Sequence, residues 1–255
     1  MRYTFGTTKK AADRLGDIAR VFNPLAAEFL RKHINEKVET ALDLGCGPGF
    51  TTDMIYRTLK CKKIYGFDNS KEMLEYAQKQ FFHYSFIFQD ITDFPFPVKP
   101  DFMYARFLLS HLKNAIDLVN KWINELKKGG YLFIEEVEDI DTDVPAFEKY
   151  LSINRGLIDS EGTVLYVGKI LSDAEFNAEV LYNEQIPLQV NNSTAASWFY
   201  PNTITIWEKE EYVQNNLSRE EREQISNELF RIFKANDKNS DITWYMRRIL
   251  LRKVQ

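Results

Sequence analysis

The chain has 255 residues, 44% hydrophobic and 27% charged, and 33 Lys plus Arg against 37 Asp plus Glu give it a formal net charge of −4. This composition belongs to an ordinary globular protein able to bury a substantial core, and it excludes disordered, collagenous and disulfide-stapled classes. A mildly acidic surface repels phosphate backbones, so no nucleic-acid partner is expected. No apolar run nears the ~18 residues of a membrane span, so no membrane partner is expected either.

The first residues are polar where a secretory segment would be apolar, and Cys46 and Cys61 are too few for a disulfide framework. A cytoplasmic location follows as the expectation. His33, His83 and His111 are widely separated, and no metal site is expected. Residues 9–34 carry apolar positions at helical spacing, and Pro24 divides them into two short predicted helices. ETALDLGCGPGF runs from an apolar strand into a glycine turn, and TTDMIYRTLK continues as a helix. The strand–helix unit then repeats. KKIYGFDNS is a strand ending at Asp68, with a helix behind it; YSFIFQD is a strand ending at Asp90; KPDFMYA is a fourth strand. A helical stretch follows, closed by Gly129 and Gly130, and leads into the strand YLFIEEVED. Beyond residue 141 come helices over 144–158 and 165–176, a strand over 181–190, helices over 193–238 and a last strand over 243–253. Strands alternating with helices predict a doubly wound α/β fold with right-handed crossovers.

Glycine is scarce, 11 in 255, yet Gly45, Gly47 and Gly49 fall within five positions directly after a buried strand. Glycines there permit positive φ and let backbone N–H groups approach a ligand. The spacing departs from the dinucleotide fingerprint, since the third glycine comes one place early and Phe50 stands where that pattern needs glycine. Asp68 lies 23 residues after Gly45, close to the ~20 at which an acid meets ribose hydroxyls. Asp90 is placed to accept from an adenine amino group, with Ile91 beside it. Each acid alone reads equally well as a helix cap.

The stretches ALDLGCGPG, GFDNSKEMLEYA, FQDITDFPF, DFMYARFLLSHL and LKKGGYLFIEE, in that order, resemble the class I S-adenosylmethionine (SAM) dependent methyltransferases. The resemblance implies a Rossmann-like seven-stranded sheet, six strands parallel and the last antiparallel, with SAM at the carboxyl ends of the strands. It implies one methyltransferase domain over 1–255: a helical lid (1–37), a SAM-binding core (38–140) and helical caps (141–180 and 193–238) around the last strands. By this likeness Gly45, Gly47 and Gly49 approach the methionine and ribose, Asp68 takes the ribose hydroxyls, and Asn69 and Met73 flank the adenine. Asp90 and Ile91 hold its amino edge, Asp43 orients the turn, and Arg106 reaches the methionine carboxylate. The remainder looks like the small-molecule branch that includes trans-aconitate methyltransferases.

The chemistry expected is in-line transfer of a methyl group to an oxygen, nitrogen or carbon of a small organic molecule, which demands alignment and exclusion of water. His111 is the one histidine near the expected site and the candidate base for a hydroxyl acceptor; otherwise it packs or caps. Arg14, Arg155, Tyr166, Trp198 and Tyr200, with Tyr3, are candidate substrate contacts in the lid and caps. The fourth strand ends Tyr104-Ala105-Arg106-Phe107, without the Asp/Asn-Pro-Pro-aromatic string of enzymes that methylate nucleobase amines or glutamine. Two other readings stay open: a SAM-binding scaffold without catalysis, and an NAD-linked oxidoreductase. Oligomeric state is not legible.

Overall fold

The computed structural model describes Gly6 and residues 8–254. Seven strands form one sheet: β1 (Thr40–Leu44), β2 (Lys63–Asp68), β3 (Ser85–Phe88), β4 (Phe102–Arg106), β5 (Tyr131–Thr142), β6 (Glu179–Val190) and β7 (Ile242–Arg252). Their order is β3-β2-β1-β4-β5-β7-β6. β1 to β5 pair in parallel, and β7 runs antiparallel between β5 and β6, so six strands share one direction and the last opposes them.

The central strands are apolar without interruption because helices cover both faces. Leu42, Leu44, Met103, Ala105, Leu132 and Ile134 point to one side, against Leu118, Val119, Trp122 and Ile123 of α4 (Ala115–Glu125). Their neighbours Ala41, Phe102, Tyr104 and Phe133 point to the other. There they meet α1 (Lys9–His33) and α2 (Phe50–Leu59). α3 (Lys71–Gln80) connects β2 to β3. A further apolar cluster lies under the later helices α5 (Pro145–Ser160), α7 (Asn192–Thr205), α8 (Glu211–Asn216) and α9 (Arg219–Ala235) and includes Phe22 of α1, while α6 (Val167–Ser172) packs Val167 and Leu171 into the cluster on the α4 side.

Three local expectations are corrected. The two short N-terminal helices are one helix of 25 residues that continues through Pro24. An interior proline costs ~3 kcal/mol, but Phe22 before it and Ala26, Phe29 and Leu30 after it are all buried, so tertiary packing holds the helix on both sides. The helix after β4 does not start at the strand end. A single 3-10 turn (Leu109–His111) comes first, and Asn114, at φ 55°, sets the start of α4. Gly129 and Gly130 do not cap that helix: α4 ends at Glu125, and Gly129, at φ 77°, donates its N–H to the carbonyl of Lys253.

Candidate functional site

The carboxyl ends of β1, β2 and β4 open under α1, and the glycine turn forms one wall of the cavity between them. Gly45, Gly47 and Gly49 have φ of 64°, 50° and 86°, a conformation that L side chains rarely adopt. The turn is pinned from β2, where Cys46 N–H donates to the carbonyl of Phe67 at 2.9 Å and Gly47 N–H donates to Asp68 Oδ2 at 2.8 Å. Cys46 is a buried filler whose thiol is pushed up by burial.

Within this cavity the sheet gathers Gly45, Gly47, Asp68, Asn69, Met73, Asp90, Ile91 and Arg106. Two residues expected there stand outside it. Gly49 faces the hydrophobic interior, where a Cβ would lie 2.9 Å from Phe86 Cζ and 3.2 Å from Ala77 Cβ. Asp43 is buried beneath the turn, and its Oδ2 accepts from the hydroxyls of Thr51 and Thr52 at 2.6 Å each. Burial raises its pKa to about 6 against those bonds. Asp43 thus ties the start of α2 to β1 and does not line the cavity.

Asp68 accepts from Gly47 N–H through one oxygen and from Ser70 N–H through the other, at 2.8 Å each. A carboxylate offers about four acceptor sites, more than these N–H groups occupy, so acceptor capacity is left. Burial raises its pKa more than these N–H groups lower it. At Asp90, burial acts upward, but bonds from the Thr92 amide and hydroxyl and from Asn69 prevail and hold it below the ordinary value. β3 ends at Phe88, so Asp90 sits in the loop beyond the strand. The carbonyl of Ile91 accepts from Trp122 Nε1 at 2.9 Å, which fixes its apolar side chain in the wall. Met73 is buried against Ala11 and Ala12 of α1.

Arg106 ends β4 almost fully buried. One terminal nitrogen donates to Asn23 Oδ1 at 2.7 Å; the other has no hydrogen-bond partner among the described residues and lies 4.0 Å from Glu135. Glu135 already accepts from Arg248 Nε at 2.8 Å and from the Tyr104 hydroxyl. Next to it, Glu136 accepts the N–H groups of Leu108 and Leu109 at 2.7 and 2.8 Å, and burial raises its pKa to about 7. Through that carboxylate β5 holds the segment that carries Leu108 and His111.

A second cavity adjoins the first, sharing Leu15, Ile18, Phe107 and His111 as a common wall. Burial first, and the nearby Arg14 charge second, depress the His111 pKa to about 4, so the ring is neutral at pH 7. Of the candidate substrate contacts, Arg14 and Trp198 line this second cavity. Arg155, Tyr166 and Tyr200 line neither. Arg155 is exposed, 3.9 Å from Asp159 and 5.8 Å from the Tyr166 ring. Tyr200 packs on Phe230, because two residues along α7 turn it away from the face that Trp198 presents. Tyr3 lies outside the described residues. The sequence reading missed Leu15 and Ile18 as wall residues, and also Tyr150, Asn154, Asn202 and Trp244.

Residues 41–130 match the family model described as a methyltransferase domain. A trans-aconitate 2-methyltransferase of Enterobacter sp. (strain 638) is 33% identical over 116 residues, 46% of either chain. One from Rhizobium leguminosarum bv. trifolii (strain WSM2304) is 28% identical over 116 residues, 45% of either chain. The alignments thus span less than half the length of these curated relatives. A coclaurine N-methyltransferase bound to N-methylheliamine and SAH superposes with a TM-score of 0.60 at 16% identity, covering 91% of this chain and 72% of that one. An N-methyltransferase from Bradyrhizobium japonicum WM9, in complex with S-adenosylhomocysteine (SAH), gives 0.51 at 13% identity, with 92% and 87% covered. The chain has the class I methyltransferase fold, and no helix among the described residues is long and apolar enough to cross a membrane.

Proposed function

We propose that this chain is a SAM-dependent methyltransferase that acts on a small organic molecule. The observation that carries the reading is the convergence of Gly45, Gly47, Asp68, Asp90 and Arg106 in one cavity that shares a wall with a second. The donor set fits the cofactor. Asp68 keeps acceptor capacity for ribose hydroxyls, Met73 and Ile91 supply apolar walls for a purine, and Asp90 with Asn69 supplies polar atoms at its edge. The unpartnered nitrogen of Arg106 suits the carboxylate of an amino acid. When bound, SAM supplies a methyl group on a positively charged sulfur.

The protein's part is then to align and to keep dry. α1 lays Leu15, Ile18 and Ala19 over the cavity, and Phe107 and Leu108 close it from β4. His111, with its pKa near 4, accepts a proton poorly from a hydroxyl of ordinary acidity. Its role at the common wall is to orient an acceptor that arrives already nucleophilic, ionised or as a free amine. The trans-aconitate relatives favour an acid as that acceptor, and the N-methyltransferase neighbours an amine.

Isothermal titration with SAM, SAH and NADH tests the reading. Saturable binding of SAM and SAH with no heat from NADH is expected. Binding of NADH alone, or of none of the three, overturns it.

A further inference from the structure

The second cavity reports on the acceptor, and this step rests on the cofactor reading of the first. Its volume is about 120 Å³, close to the roughly 150 Å³ of an apolar cavity that takes up benzene. A molecule of about one ring fits it. The walls are aromatic: Phe107, Tyr150, Trp198, Phe199 and Trp244 line the space. Tyr150 stacks on Phe199 at 4.3 Å, and Trp198 meets Trp244 edge-on at 5.7 Å. Such walls favour a planar guest.

The polar atoms are few and arranged. Arg14 donates to Asn202 Oδ1 at 2.9 Å, and Asn202 in turn donates to the Tyr150 hydroxyl at 2.6 Å, so the guanidinium is held in place from α7 and α5. Trp198 Nε1 and Trp244 Nε1 are buried without a hydrogen-bond partner among the described residues, as is Asn154 Oδ1, whose own amide donates to the Tyr150 carbonyl at 2.7 Å. An unmade bond at a buried donor costs ~1–3 kcal/mol, and two indole donors on one small cavity call for an acceptor group from a guest. Among the described residues no acidic side chain lines this cavity, in contrast to the first, which holds Asp68 and Asp90. Among the described residues Arg14 is the one charged group in its wall.

We infer that the methyl acceptor is a planar, single-ring monoanion, with its anionic group toward Arg14 and the Trp198 and Trp244 indoles and its reacting end toward Phe107 and His111. A tricarboxylate is disfavoured, because two of its charges would be buried against aromatic rings with no partner.

The test uses the full chain saturated with SAH, with benzoate, benzamide and citrate titrated separately and followed by calorimetry and tryptophan fluorescence. Benzoate is expected to bind at least about tenfold more tightly than its neutral isostere benzamide, and citrate not to compete with it. Arg14→Met should bring benzoate to the benzamide level and leave SAH affinity unchanged. Trp198→Phe keeps an aromatic wall and removes one donor, so it should weaken benzoate several-fold; it stands as the readout if Arg14→Met does not fold. Equal affinity for benzoate and benzamide, tighter binding of citrate, or no benzoate binding by a protein that does bind SAH overturns the acceptor class. Failure to bind SAH itself overturns the cofactor reading beneath it.

Discussion

Gly47 and Gly49 sit two residues apart in one turn, and alanine at each should damage a different property. At Gly49 an L residue at φ 86° costs ~1–2 kcal/mol. The added Cβ would lie 2.9 Å from Phe86 Cζ, 3.0 Å from Phe81 Cδ2 and 3.2 Å from Ala77 Cβ. Relieving that overlap in a packed interior costs a further ~1–3 kcal/mol, so Gly49→Ala should destabilise the fold by about 2–5 kcal/mol. At Gly47 the φ of 50° carries a similar backbone cost, but among the described residues an added Cβ would meet only Leu15 Cδ1 at 3.7 Å, an ordinary contact across the cavity. Gly47→Ala should therefore lose about 1–2 kcal/mol in urea unfolding, while its new methyl group narrows the space against Leu15 and weakens SAH by tenfold or more. Gly49→Ala, measured at a temperature where it is folded, should keep SAH affinity within about threefold. The reasoning fails if Gly49→Ala leaves the unfolding midpoint unmoved, or if it costs more SAH affinity than Gly47→Ala does.

Asp68→Asn keeps one acceptor for a backbone N–H but loses the charge that strengthens bonds to hydroxyls, and calorimetry should show SAH weakened by about 2 kcal/mol; an unchanged Kd refutes the ribose assignment. Glu136 has a folded pKa of about 7 against an ordinary 4.5. For a carboxyl raised in this way, its contribution is fully present below pH 4.5 and is lost as the pH climbs through 7, in total about 3 kcal/mol. Glu136→Gln should therefore flatten the fall of stability between those two values relative to the parent chain, and parallel curves for the two proteins would contradict the assignment. Pro24→Ala should raise stability by ~1–2 kcal/mol, less than the full helix-interior cost because proline also restricts the unfolded chain; a loss of stability would show that the proline bends α1 into a fit that alanine cannot reproduce.

The half of the site that was legible in sequence is the half whose parts are close together along the chain. The turn, Asp68 and Met73 fall within 29 residues of one another, and each is placed by the strand or helix on which it sits, so spacing alone carries their geometry. The second cavity has no such economy. Arg14 meets Asn202 across 188 positions, and Asn202 meets Tyr150 across 52, pairings that only the packing of α1, α5 and α7 creates. Helix faces decide membership there: Asn154 lines the cavity and Arg155 beside it does not, and Trp198 does where Tyr200 does not. Amphipathic spacing marks which face of a helix is buried, but not whether the buried face meets a neighbour or an opening, and for this reason aromatic residues of the caps read equally well as interior or as wall.

The shared wall between the cavities shows where that distinction matters. Leu15 and Ile18 come from α1, before the glycine turn, and Phe107 and His111 from the segment after β4, beyond it. Two side chains fasten these pieces, Asn23 tying α1 to the end of β4 and Glu136 tying β5 to the segment that follows it. Asn23 of α1 bonds Arg106 at 2.7 Å and the Phe50 carbonyl at 2.9 Å, while Glu136 of β5 holds Leu108 and Leu109. Because a displacement reaction tolerates little misalignment, the distance between these two fasteners sets the path from one cavity to the other. Glu136→Gln, at a residue that lines neither cavity, should therefore lower turnover more than it lowers affinity for SAH or for a benzoate probe.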